Sequence, residues 1–259
     1  MLNRIPYAAC PLCGDQRTAA IVTADCSRFP FYQPSLSPVM TWLQCAGCDH
    51  VYTDGFHSRE ALDVLFSGTH AAQTVGFDLE NQRYVWARVI EKLLPFADAG
   101  HWLDVGFGNG ALLFTAHEFG FTPVGIDLRK NTVAALQASG IEAHATDLAD
   151  LKQPARFDVI SMCDVLEHMP YPVAGLQHVH ALLKDDGVLF LSMPNSDSAL
   201  WKSLNAQNAN PYWAELEHYH NFSRQRLYRL LAESGFEAVR YGVSERYRVC
   251  MDVIARKRK

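Results

Sequence analysis

Long hydrophobic runs are missing from this 259-residue sequence. No stretch approaches the ~18–20 apolar residues of a membrane helix, so a helical membrane span is excluded. The opening residues, Met-Leu-Asn-Arg-Ile-Pro-Tyr, lack the apolar centre of a secretory signal, and a cytoplasmic product is expected. A surplus of positive charge is missing too. The 23 Lys+Arg stand against 28 Asp+Glu, a net charge of −5, which argues against a broad basic face for nucleic acid or anionic lipid. Internal repeats and low-complexity tracts are absent, and the basic tail Arg256-Lys-Arg-Lys259 reads as a solvated end. What remains is ordinary globular composition, with 49% hydrophobic and 20% charged residues. The length implies one large or two unequal domains.

Cysteine is scarce beyond residue 48, where only Cys163 and Cys250 occur. The other five fall in the first fifth of the chain, and four form the pairs Cys10-Pro-Leu-Cys13 and Cys45-Ala-Gly-Cys48. Two such pairs set four thiolates around a tetrahedral Zn²⁺, with structural rather than catalytic chemistry. A redox Cys-x-x-Cys would open a helix in a βαβ unit, whereas Gly14 and Gly47 suit knuckle turns. The gap between the pairs holds a hairpin whose loop is the Pro- and aromatic-rich stretch 28–38. Cys26 reads as a small buried hydrophobe.

Apolar residues at helical spacing then predict helices over Arg59–Phe66 and Glu80–Phe96, the second stopped near Pro95. From His101 short apolar runs alternate with helical stretches. Strands are expected at Trp102–Val105, Pro123–Ile126, Phe157–Ser161 and Gly187–Met193, with helices at Ala111–Phe119, Thr132–Ser139 and Val173–Leu183. That alternation predicts a parallel sheet covered on both faces. A helix at Arg224–Ser234 is followed by runs at Phe236–Val243 and Tyr247–Ile254, which fit an antiparallel hairpin at the sheet edge. The expected domains are a zinc-binding ribbon (1–57), a helical bridge (58–99) and an α/β domain (100–259).

The most informative segment is His101-Trp-Leu-Asp-Val-Gly-Phe-Gly-Asn-Gly110. Three glycines between a strand and a helix let the chain turn tightly and a ligand approach closely. Gly106, Gly108 and Ala111 also satisfy the looser dinucleotide pattern G-x-G-x-x-A, so charge has to decide. A pyrophosphate at this loop would face the carboxylate of Asp104, whereas the ammonium and sulfonium of S-adenosylmethionine would be attracted to it. Asp104 can alternatively anchor the turn through loop amides. Asp127, followed by Leu128, ends the next strand where an acid accepts hydrogen bonds from both ribose hydroxyls. Asp147, followed by Leu148, closes a short strand and can accept from an adenine amino group or cap the following turn.

These residues carry a resemblance. The tract Leu103-Asp-Val-Gly-Phe-Gly-Asn-Gly110, the acids Asp127 and Asp147, Asp164-Val-Leu-Glu-His168 and Leu183-Lys-Asp-Asp-Gly-Val-Leu189 are similar to class I S-adenosylmethionine-dependent methyltransferases. The resemblance implies a Rossmann-like, mostly parallel seven-stranded sheet with an antiparallel last strand. It implies cofactor contacts from Asp104, Gly106, Phe107, Gly108, Gly110, Asp127, Leu128, Asp147, Leu148, Cys163 and Asp164, the last two on the adenine side. Phe107 departs from the small residue frequent at its position.

Further along, Pro211-Tyr-Trp-Ala-Glu-Leu-Glu-His-Tyr-His-Asn-Phe-Ser223 crowds His218 and His220 beside Glu217 among aromatic residues. Such a cluster describes a substrate pocket able to host proton transfer. His218 is the expected base, with His168 and His220 as rivals and Glu217 orienting the ring. Glu217, His218, Phe222 and Ser223 resemble a motif of bacterial sugar C-methyltransferases with an N-terminal zinc domain. Against those enzymes, His220 and Asn221 differ, and the chain is shorter, without their additional C-terminal domain. Asp164-Val-Leu-Glu-His168-Met-Pro170 is equally similar to ubiquinone-biosynthesis O-methyltransferases. The expected activity is O- or C-methyl transfer to a small-molecule acceptor such as a sugar, a phenol or a natural-product intermediate. The competing readings are a nucleic-acid methyltransferase with a zinc module, and a non-catalytic cofactor-binding protein. The acidic balance opposes the first; so does Cys163-Asp-Val-Leu166, where base-amine methyltransferases carry Asn/Asp-Pro-Pro-Tyr/Phe.

Overall fold

The computed structural model describes residue 2 and residues 4–65 and 71–258. In chain order the strands and helices begin with β1 (Ile5–Pro6), β2 (Thr18–Asp25), β3 (Val39–Cys45), β4 (Val51–Thr53), β5 (Gly55–Phe56) and α1 (Arg59–Leu65). Then come α2 (Leu79–Leu93), β6 (Gly100–Val105), α3 (Ala111–Glu118), β7 (Phe121–Asp127), α4 (Lys130–Ala138), β8 (Glu142–Ala145) and β9 (Phe157–Cys163). The last are α5 (Pro172–Leu182), β10 (Leu183–Pro194), α6 (Ala199–Ala206), β11 (His220–Asn221), α7 (Arg224–Glu233), β12 (Phe236–Val243) and β13 (Cys250–Lys257). Among the described residues no helix is long and apolar enough to cross a membrane. Phe66, the expected last residue of α1, and Lys259 lie outside the described residues.

The chain divides into two compact units. One comprises Met1–Thr69, Glu167–Val173 and Pro194–Leu227, the other His70–Leu166, Ala174–Met193 and Tyr228–Lys259. This grouping differs from the contiguous segments 1–57, 58–99 and 100–259, because residues 194–227 close the first unit's sheet and core. β11 pairs antiparallel with β4, His220 opposite Tyr52 and Asn221 opposite Val51, giving the order β11-β4-β3-β2. β2 and β3 form the expected hairpin around the loop 26–38. Cys26, Leu36, Met40, Trp42, Ala61, Leu65 and Leu216 make the core, and the Trp42 indole donates to the carbonyl of Trp213 at 2.8 Å.

The second unit is built on a mostly parallel seven-stranded sheet in the order β12-β13-β10-β9-β6-β7-β8, with β13 antiparallel to β12. Its central strands are apolar on both faces: Trp102, Leu103, Val124, Val159, Ile160, Val188 and Leu191 are all fully buried. That is the pattern of strands sandwiched between helices. On α2, Trp86, Val89, Ile90 and Leu93 recur at helical spacing and form one buried stripe, which enters a core with Trp102, Leu112, Phe121 and Ile254. The second strand of the terminal hairpin runs three residues later than the sequence pattern suggests, so Arg256 and Lys257 belong to β13, with Arg256 still exposed to solvent. Lys257 Nζ donates to the Leu183 carbonyl at 2.9 Å.

Candidate active site

Strand order reverses between β6 and β9, and ligands of open α/β sheets bind beyond the carboxyl ends of such a pair. The glycine loop leaves β6 at this point. Gly106, Gly108 and Gly110 all have positive φ, at 68°, 57° and 75°, a conformation open to glycine and strained for side chains. A Cβ at Gly108 would meet no atom within 4 Å, so the loop leaves open space there for a close-approaching ligand. The Phe107 side chain does not enter that space. It is buried with Leu113, Val133 and Leu136, which leaves only its backbone for contact.

Asp104, the penultimate residue of β6, is 4% exposed and accepts a 2.6 Å hydrogen bond from Ser161 Oγ on β9. Burial pushes its carboxyl up to about 7, against the opposing pull of Ser161 and Arg246. Asp127 ends β7 and is taken up by Arg129: Oδ1 accepts from the Arg129 amide and Nε at 2.9 Å each, and Oδ2 from Nη2 at 2.7 Å. Leu128 beside it is exposed, while Leu148 is buried. Asp147 adopts the capping role, its Oδ1 accepting from Ala149 N at 3.0 Å. Cys163 ends β9 as a thiol, its pKa raised well above the ordinary value by burial. Asp164 follows with φ 54°, its amide donating to Ser192 O at 2.8 Å. A non-glycine residue held in this region is strained, a condition frequent at ligand sites.

Arg246 carries no signal at the level of sequence pattern. It lies in the β12–β13 connection, donates from Nη2 to Asp164 Oδ2 at 2.8 Å, and packs over the rings of Trp86 and Tyr247 at 4.8 and 4.9 Å. Only a residue count across a hairpin points to it. Ser161 was equally silent, an isolated polar residue inside an apolar strand.

The candidate histidines His168, His218 and His220 all lie in the first unit. His168 donates from Nδ1 to the Glu217 carbonyl at 2.9 Å, and its ring meets that of His218 edge to face at 4.6 Å. His218 Nδ1 lies 2.9 Å from Glu215 Oε2. Burial disfavours the His218 cation, but Glu215, Glu167 and Glu217 outweigh it and raise the pKa to about 9. His168 is neutral, lowered to about 3 by burial and the charge of His218. His220 has both nitrogens engaged, Nε2 with the Met169 carbonyl at 2.8 Å and Nδ1 with His50 Nε2 at 2.9 Å. Its role here is to join β11 to the strand-flanking His50. Glu167 and Glu215, absent from the sequence-level candidates, complete the group.

The four cysteines meet as expected. Cys10 and Cys48 sulfurs are 3.7 Å apart, those of Cys13 and Cys45 3.5 Å, and all four Sγ atoms lie within 4.8 Å of one another. A tetrahedron of Zn–S bonds near 2.3 Å sets sulfurs roughly 3.8 Å apart, so the donor set fits zinc.

Known proteins support the fold. A family model described as a methyltransferase domain matches residues 79–241. The ubiquinone biosynthesis O-methyltransferase of Leptothrix cholodnii is 31% identical over 115 residues, covering 41% of this chain and 49% of that protein. Its counterpart in Xanthomonas campestris pv. campestris is 34% identical over 138 residues, covering 50% and 53%. The chain thus spans about half the length of the curated relatives it matches. Among solved structures, Burkholderia thailandensis 1,6-didemethyltoxoflavin-N1-methyltransferase, with bound 1,6-didemethyltoxoflavin and S-adenosylhomocysteine, superposes with a TM-score of 0.60. It is 20% identical, and the match covers 81% of this chain and 96% of that one. Magnesium protoporphyrin IX methyltransferase of Synechocystis PCC 6803, with bound S-adenosylhomocysteine, gives 0.55 at 19% identity, covering 71% and 89%. With the family match running over well more than half of the sequence and the sheet order that of the fold it implies, the chain belongs to the class I S-adenosylmethionine-dependent methyltransferases.

Proposed function

We propose that this chain transfers a methyl group from S-adenosylmethionine to a hydroxyl of a small organic acceptor, with phenols the first class to test. The observation that carries the reading is the open glycine cradle between two buried acids, Asp104 and Asp127, at the switch point of the sheet. When bound, S-adenosylmethionine supplies an electrophilic methyl group on a sulfonium sulfur. Asp104 would hold the ammonium end, a charge that favours its ionisation. Asp127 would accept from the ribose hydroxyls in place of Arg129, with Leu128 beside the sugar. Asp147 would offer a carboxylate oxygen to the adenine amino group, flanked by Leu148, Cys163 and Asp164. The loop amides and the Phe107 backbone would line the site.

The acceptor's proton is handled by the neutral His168 with His218 and Glu217, and the protein's main contribution is to hold two substrates in attack geometry. The O-methyltransferase names of the curated relatives favour oxygen over carbon as the methylated atom. Residues 1–57 are proposed as a zinc ribbon in which Cys10, Cys13, Cys45 and Cys48 hold a structural Zn²⁺, residues 58–99 as a helical bridge, and 100–259 as the methyltransferase domain. The test is methyl transfer from radiolabelled S-adenosylmethionine to a panel of phenols, quinone precursors and deoxysugar nucleotides. Label entering an acceptor hydroxyl supports the reading. Label entering only carbon, or only RNA, replaces it.

A further inference from the structure

Glu167, His168 and His218 come from two separate stretches of sequence and meet within one compact unit. One ligating atom of each lies within 4.8 Å of the other two. Glu167 is 1% exposed and His218 7%. Each imidazole is oriented from behind. His168 Nδ1 meets the Glu217 carbonyl, which can only accept, so the proton is on Nδ1 and the lone pair on Nε2. The Glu215 carboxylate lies 2.9 Å from His218 Nδ1 and favours the proton there, so a cation binding at Nε2 displaces only the other ring proton. Histidines that bind metals donate their other ring N–H to a backbone carbonyl or a carboxylate, which fixes both tautomer and ring direction. Here one histidine has the first kind of support and the other the second.

We propose that Glu167, His168 and His218 form a two-histidine, one-carboxylate site for a divalent first-row cation such as Mn²⁺, Fe²⁺ or Zn²⁺, distinct from the cysteine cluster. Three protein ligands leave coordination positions open, and an oxygen from a hydroxyl- or carboxylate-bearing small molecule completes them. Glu167, Glu215 and Glu217 surround two imidazoles, a charge balance that a dication meets. The site is made of one unit's residues and stands whether or not the methyl-transfer reading holds; a bound cation takes the His168 Nε2 lone pair, so proton acceptance by His168 belongs to the metal-free chain.

Mn²⁺ is the probe, because thiolate sets favour softer ions while imidazole and carboxylate accept it. Full-length protein with its cysteine site loaded with Zn²⁺ is titrated with Mn²⁺, free ion being followed by electron paramagnetic resonance. The expected result is one bound equivalent whose spin-echo signal is modulated by coordinated imidazole ¹⁴N, read on the unaltered chain. Glu215→Ala, which touches only the support of His218, weakens Mn²⁺ binding by about 10–100-fold. Glu167→Gln, verified as folded by circular dichroism, weakens it at least as much. Mn²⁺ that stays free, that binds without ¹⁴N modulation, or that binds folded Glu167→Gln with unchanged affinity overturns the assignment.

Discussion

Ser161 Oγ donates to Asp104 Oδ1 at 2.6 Å while accepting the Trp102 indole N–H at 2.9 Å, so one hydroxyl of β9 is bonded to two residues of β6, one of them the acid at the mouth of the glycine loop. Burial still holds its carboxyl near 7. A cationic ligand group binds the ionised form, so affinity for S-adenosylhomocysteine rises as pH increases from 6 to 8 and then levels. Stability moves the other way. Between the unfolded carboxyl range near 4 and the folded value near 7, the folded chain holds the extra proton, so Asp104 costs stability as pH rises through that window. Asp104→Asn therefore raises the melting temperature of the ligand-free protein at pH 8 and flattens the pH dependence of binding. Calorimetry and thermal melts across pH 6–8 check both.

Asp127 is held on both oxygens by Arg129. If the ribose takes over those oxygens, Asp127→Ala removes charge-assisted hydrogen bonds, each worth ~1.5–3 kcal/mol. S-adenosylhomocysteine affinity then falls by about tenfold or more, measured by calorimetry. Unchanged affinity removes Asp127 from the binding site.

For the cysteine cluster, protein reconstituted with Co²⁺ should show intense thiolate charge-transfer absorption. Cys45→Ser should lose that band and melt at lower temperature, because structural metal binding is coupled to folding. A folded, fully reduced chain that takes up no metal contradicts the zinc ribbon.

His168→Ala should slow turnover by ~10²–10⁴, the usual worth of proton transfer by a positioned group, with S-adenosylhomocysteine affinity nearly unchanged. His220→Ala should instead lower stability, since both His220 nitrogens are bonded inside the fold. Steady-state kinetics paired with thermal melts separates the two. Equal loss of turnover in both variants, with intact folding, assigns His220 a direct role.

The central strands and the glycine loop were legible because their cause is local: apolar runs buried on both faces, and a turn that demands glycine. The helix α6 was not, since its eight residues make barely two turns and Trp201 alone among them is buried, too short a pattern to stand out as a helix. Strand β11 was hidden for another reason. Two residues pair with β4 across some 170 positions, and nothing in either segment encodes the other. The same distance conceals the His50–His220 bond, and about 50 positions separate Glu167 from His218. Phe107 shows backbone and side chain parting ways: its backbone stays in the loop, while its large ring packs in the core near Gly125.

The most direct measurement is calorimetric titration of the full chain with S-adenosylhomocysteine and, separately, with NAD. The account predicts one S-adenosylhomocysteine site per chain, weakened by Asp127→Ala, and no binding of NAD. Tight NAD binding with none for S-adenosylhomocysteine would contradict it.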